Sequence, residues 1–85
     1  MSASPHADGA LAKGIYDERY QSLIAALRSA RQKSGLTQTD VAASLKSRQQ
    51  FVSKYESGER RLDVVEFIDA ASALGLDWRE LLNRM

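Results

Sequence analysis

The chain is 85 residues long, carries a formal net charge of +1 and contains no cysteine and a single histidine, His6. That length holds one domain at most. The composition excludes disulfides and thiolate metal sites, and it leaves almost nothing from which to build a Ser-His nucleophile, so an enzyme, a metal, a cofactor and a small-molecule substrate are not expected.

No apolar run approaches the length needed to cross a membrane. The N-terminal stretch MSASPHADGALAKG lacks the charged-then-apolar pattern of a secretory signal, and the expected location is the cytoplasm. A domain of about 60 residues buries only roughly 60% of the surface its unfolded chain exposes, so a partner subunit would help it. Charge is unevenly spread. Residues 1–27 hold two basic and three acidic groups, residues 28–61 eight basic and three acidic, and residues 62–85 two basic and five acidic. A cationic middle between less basic or acidic ends can attract phosphate while the molecule stays near neutral.

Residues 1–15 are rich in Ala, Gly and Ser and are expected to form a flexible N-terminal arm. A first helix is expected from about Asp17 to Lys33, where Tyr20, Leu23, Ile24, Leu27 and Ala30 recur at three and four. Gly35 is its left-handed stop, with Leu36 packing back over it. Thr37 and Asp40 read as a capping box for a short second helix with Val41, Ala42 and Leu45 inside. Lys46-Ser47-Arg48 is the connection, and Ser47 with Gln50 reads as the cap of a third helix in which Val52 and Tyr55 face inward. Gly58 ends it. Asp63 and Glu66 form a box for a fourth helix whose apolar face is Val64, Val65, Phe67, Ile68, Ala71 and Leu74. Gly75 stops that one, and Asp77 with Glu80 repeats the box for a fifth carrying Trp78, Leu81 and Leu82. No stretch alternates with period two, so the expected fold is all-α, with five helices and no sheet.

A helix lying in a DNA groove needs one side packed on its own domain and the other left polar. Val52 and Tyr55 suit the first requirement, and Gln49, Gln50, Ser53 and Lys54 the second. A Gln amide offers a donor and an acceptor together, matching the N6/N7 edge of adenine in the major groove, and a Lys can reach guanine O6/N7 or a phosphate. Recognition helices read bases with their N-terminal residues, where the two glutamines stand. Phe51 sits among these polar residues. It can touch a thymine methyl, pack under the turn or meet a protein partner, and the pattern does not choose. Glu56 reads as a structural partner for a nearby Arg.

The stretch SGLTQTDVAASLKSRQQFVSKYESGERR resembles the helix-turn-helix domain of the Cro and lambda-repressor class, the xenobiotic-response-element family. The marks are Gly35-Leu36-Thr37-Gln38, Val41-Ala42, Val52-Ser53-Lys54-Tyr55-Glu56 and Gly58, and the resemblance covers about residues 18–82. It implies a lambda-repressor-like DNA-binding domain over residues 16–85, with its helix-turn-helix unit at about 38–57. It also implies a double-stranded DNA partner and a homodimer. Base contacts are then expected from Gln49, Gln50, Ser53 and Lys54. Phosphate contacts are expected from Gln38, which also braces the first reader, and from Arg48, Ser57, Arg60 and Arg61. Trp78, Leu81 and Leu82 are candidate dimer contacts. Three positions depart from the family: Lys46 replaces the usual turn Gly, Ser47 an apolar residue, and Leu62 a Pro. A left-handed Lys costs about 1 kcal/mol, which favours a turn of different shape. The expected function is a transcriptional repressor on a palindromic operator, since so short a chain leaves no room for a ligand or activation domain. The alternative is a protein-binding helix-turn-helix module, an antiactivator or antitoxin.

Overall fold

Five helices follow one another in the computed structural model, which describes residues 16–84: α1 Glu18–Lys33, α2 Gln38–Ser44, α3 Gln49–Ser57, α4 Val64–Ala73 and α5 Trp78–Asn83. The described residues contain no strand, so the all-α expectation holds. The expected N-terminal arm, residues 1–15, lies outside the described residues.

Each helix begins on a residue that satisfies its orphan N–H groups or leaves them open for a reason. Asp17 accepts from the Arg19 N–H ahead of α1. Thr37 and Asp40 form a reciprocal capping box on α2, and Asp63 and Glu66 do so on α4, each cap contributing about 1 kcal/mol. Two expected boxes are corrected. Asp77 caps α5 by accepting from the Arg79 N–H at 2.9 Å, not through Glu80. Ser47 does not cap α3; the N-cap is Arg48, and it makes no side-chain cap bond.

The reason lies in the turn before α3. The Lys46 N–H donates to Ala43 O at 3.1 Å and the Ser47 N–H to Ala42 O at 2.9 Å. That is the paired closure found after α1, where the Gly35 N–H donates to Gln32 O and the Leu36 N–H to Arg31 O, both at 3.1 Å. The closure needs a left-handed residue at its first position, and Lys46 supplies it with φ 54°. The turn therefore keeps its shape in spite of the side chain, against the expectation of a different one, and α2 carries about 1 kcal/mol of strain at its end. Ser47 is consumed in closing α2, which pushes the start of α3 one residue on.

The core is one cluster drawn from every helix: Ile24 and Leu27, Val41 and Ala42, Val52 and Tyr55, Phe67, Ala70 and Ala71, and Leu81, with Leu62 from the α3–α4 loop. Leu62 explains the missing Pro. Its N–H, which a Pro would lack, donates to the Tyr20 hydroxyl oxygen at 3.0 Å, tying the loop to α1. The broad apolar face expected on α4 is narrower than its sequence suggests. Val64 and Val65 are 73% and 65% exposed. Val64 shares a stripe with Phe67 and Ala71 by helical spacing but stands one turn beyond the end of the core. No described helix is long and apolar enough to cross a membrane.

Candidate nucleic-acid interface

Helix α3 packs on α1 and α2 and divides into two sectors. At about 100° per residue, Gln49, Ser53, Ser57, Gln50 and Lys54 occupy one continuous arc, and Phe51, Tyr55, Val52 and Glu56 the opposite one. The burial follows the arcs: Val52 and Tyr55 are fully buried, whereas Gln49, Gln50, Lys54 and Ser57 are exposed and Ser53 is half-buried. Both glutamines thus stand clear of the body.

One edge of the polar arc is braced by a hydrogen-bonded relay. Arg31 of α1 donates twice to Glu56, Nε to Oε2 at 2.7 Å and Nη2 to Oε1 at 2.9 Å, and its Nη1 donates to Leu36 O at 3.0 Å. The side chains are 12% and 4% exposed. Glu56 then accepts from Gln38 Nε2 at 3.0 Å, and Gln38 Oε1 accepts from Gln49 Nε2 at 2.7 Å. A carboxylate only accepts, so Glu56 fixes which end of the Gln38 amide faces it. Gln38 in turn fixes the Gln49 amide, whose Oε1 and second N–H remain for a partner. Pairing with Glu56 holds the Arg31 guanidinium pKa above its ordinary value.

The other edge is built from Phe51. Its ring meets Tyr55 edge-on, with centroids 5.5 Å apart, and the Arg60 guanidinium lies 4.9 Å over it. Phe51 therefore packs against its own domain, while part of its ring still borders the open space beside α3. Arg60 is itself held by Glu66, Nη1 to Oε1 at 2.9 Å and Nη2 to Oε2 at 2.8 Å. The pairing raises the Arg60 pKa, and it lowers that of Glu66, helped by the Asp63 N–H. The guanidinium that sequence alone offers to a phosphate is thus already in a bidentate pair.

Lys46, Ser47, Arg48, Gln50, Phe51, Lys54 and Arg60 line an open groove of about 570 Å³ beside α3. Arg48 and Lys54 make no ion pair among the described residues. Arg48 provides no side-chain cap and the Phe51 N–H is bonded to Arg48 O at 2.9 Å, so the Gln49 and Gln50 N–H groups are the open ones at the positive dipole end of α3, a setting that favours an anion. The Ser57 hydroxyl lies 3.1 Å from both Lys54 O and Glu59 Oε2 and shares its single proton between them, so it is engaged inside the loop. Arg61 is exposed nearby. On the far side, Leu81 is 5% exposed and belongs to the core, Trp78 is half-buried with the Arg79 guanidinium 4.6 Å over its ring, and Leu82 is 40% exposed.

The Arg31–Glu56 and Phe51–Arg60 pairings were not assigned from sequence. From sequence, Glu56 suits an Arg partner without singling one out. The signal was charge complementarity across 25 residues, and several arginines satisfy it equally.

The helix-turn-helix family profile matches residues 27–81, which is most of the described chain. A solved structure, an XRE-family like protein from Pseudomonas syringae pv. tomato str. DC3000, superposes with a TM-score of 0.77 at 45% identity, covering 88% of this chain and 92% of that one. This chain belongs to the XRE family of helix-turn-helix proteins. No curated protein matches it. As an XRE-family chain it is a DNA-binding helix-turn-helix regulator, and α2 and α3 are its helix-turn-helix pair.

Proposed function

We propose that this XRE-family protein is a sequence-specific repressor of transcription, working in the cytoplasm as a homodimer on a palindromic operator, with residues 16–85 as its one binding domain. The observation that carries the reading is the exposed arc of α3 together with the relay that orients Gln49. A preset amide is able to meet adenine through an acceptor and a donor at once without first losing rotamer freedom.

Gln49, Gln50, Ser53 and Lys54 are the base readers. Gln38, Arg48, Ser57, Arg60 and Arg61 contact the sugar-phosphate chain. Ser57 and Arg60 do so only by exchanging a partner inside the molecule for a phosphate. The dimer seam runs through Leu82 and Trp78, joined by the uncovered Val64, since Leu81 is spent in the core. Two such domains would place their α3 helices in successive major-groove faces about 34–36 Å apart.

The test is selection of duplexes from a random pool, followed by titration of the selected site. Binding should fall steeply as salt rises, and Gln49→Ala should cost about 1–3 kcal/mol on the selected site while relaxing the choice at one base pair. A Gln49→Ala loss that is equal on every sequence would remove Gln49 as a reader. No binding to any duplex at low salt would transfer the surface to a protein partner.

A further inference from the structure

Three of the four left-handed residues among those described are glycines, Gly35, Gly58 and Gly75; the fourth is Lys46. Glycine is the unstrained choice at such a position, so the turn between α2 and α3 holds a side chain that its backbone disfavours. That side chain borders the groove lined by Arg48, Lys54 and Arg60, and no Asp or Glu lines it. Arg60 is neutralised by Glu66 at 2.8 Å. Lys46 makes no ion pair among the described residues. It also borders a neighbouring hollow that includes Asp69, without closing a pair with it.

We infer that Lys46 is a phosphate-binding residue of the DNA interface, a cation added at the turn where backbone strain would select glycine. The inference rests on the DNA-binding reading and adds a residue that the family pattern does not supply. Lys46, Arg48 and Lys54 bring three positive charges to one groove beside the open N–H end of α3. A phosphate there meets both the ammonium groups and the helix dipole. A phosphate contact carries no base information, so Lys46 acts on every sequence alike.

The experiment uses the full chain and a mixed-sequence duplex of about 20 base pairs, with binding followed across salt concentrations. Lys46→Asn removes the charge while keeping a residue that tolerates a left-handed backbone. Its melting temperature should equal or exceed that of the parent, while the slope of log K against log salt should become shallower by about 0.9. Lys46→Arg should restore the slope. Arg79→Gln, on α5, should leave the slope unchanged.

An unchanged slope in Lys46→Asn, beside a shallower one in Arg48→Gln, overturns the assignment and leaves the DNA reading intact. So does an equal loss in Arg79→Gln, which would make the effect one of net charge. A lowered melting temperature with the slope retained would assign Lys46 to a stabilising attraction with Asp69 instead. Failure of the parent protein to bind any duplex at low salt overturns the DNA reading itself.

Discussion

Tyr55 fills the centre of the core, fully buried, yet its hydroxyl has no hydrogen-bond partner among the described residues. Burial pushes its pKa up to about 12, so it is a neutral phenol at neutral pH. A buried donor without a partner costs about 1–3 kcal/mol, and the ring alone provides the edge-on contact with Phe51. Tyr55→Phe should therefore raise stability by about 1 kcal/mol in urea denaturation, with little change in the denaturant slope. A loss of similar size would show that the hydroxyl has a partner in solution. The inward direction of Tyr55 was legible from its three-residue spacing to Val52. The orphaned hydroxyl was not, because periodicity reports the side a residue faces and says nothing about what its polar tip meets.

Helices α1 and α3 are joined by more than apolar packing. Arg31 and Glu56 are nearly buried and bidentate, and the Glu56 carboxylate also holds Gln38. Removing one partner of such a pair leaves a buried charge uncompensated, which costs about 3–5 kcal/mol. Arg31→Met should lower stability by about 3 kcal/mol, and Arg31→Met with Glu56→Met should recover part of it. DNA discrimination at the Gln49 position should be lost in the double variant, because without Glu56 Gln38 no longer has an acceptor to orient it. Thermal melting and duplex titration on both variants separate these effects. The same elements show where local sequence suffices. The boxes Thr37/Asp40 and Asp63/Glu66 were legible because both partners lie within one helical turn. The start of α3 was misread because its signal, Ser47, is claimed by the closure of α2, a contest settled only once Lys46 accepts a left-handed backbone. Val64 and Val65 were misread for a related reason. A stripe gives the direction of a face, but the length of the core beneath it depends on helices that arrive later in the chain.

Across the whole molecule, charge and apolar surface are segregated. The cationic groove lies beside α3. Val64, Trp78 and Leu82 share with Tyr20, Leu23 and Phe67 a shallow apolar hollow of about 190 Å³ formed by α1, α4 and α5. The acidic C-terminal third read from sequence supplies Val64, Trp78 and Leu82 to that hollow, while Leu81, a candidate dimer contact from sequence, is 5% exposed and belongs to the core. Acid should weaken the fold in a defined window. Asp17, beside Arg19, has its pKa lowered to about 2, and Asp40 and Glu66 are lowered by the Thr37 N–H and by Arg60 respectively. Groups with depressed folded-state pKa values stabilise fully above their unfolded values of about 4 and lose that contribution as pH falls through the folded ones. The melting temperature should thus hold level from neutrality to about pH 5 and decline below about pH 4. Glu66→Gln should be slightly less stable at neutral pH, since the Arg60 partner is exposed and the pair is screened by solvent, and should converge with the parent in acid. The apolar hollow gives the more decisive measurement. If it is the dimer seam, Leu82→Arg places a charge in a self-complementary contact, where two-fold symmetry introduces it once from each copy. The variant should keep the parent's circular dichroism, because Leu82 is 40% exposed, yet sediment as a monomer where the parent sediments as a dimer. Its affinity for an isolated half-site should be unchanged, while its affinity for the full operator should fall to that of two independent domains, losing the gain that linkage provides. A parent protein that sediments as a monomer at every concentration, and still binds a full operator without cooperativity, would remove the two-fold arrangement and leave α3 to act from a single copy.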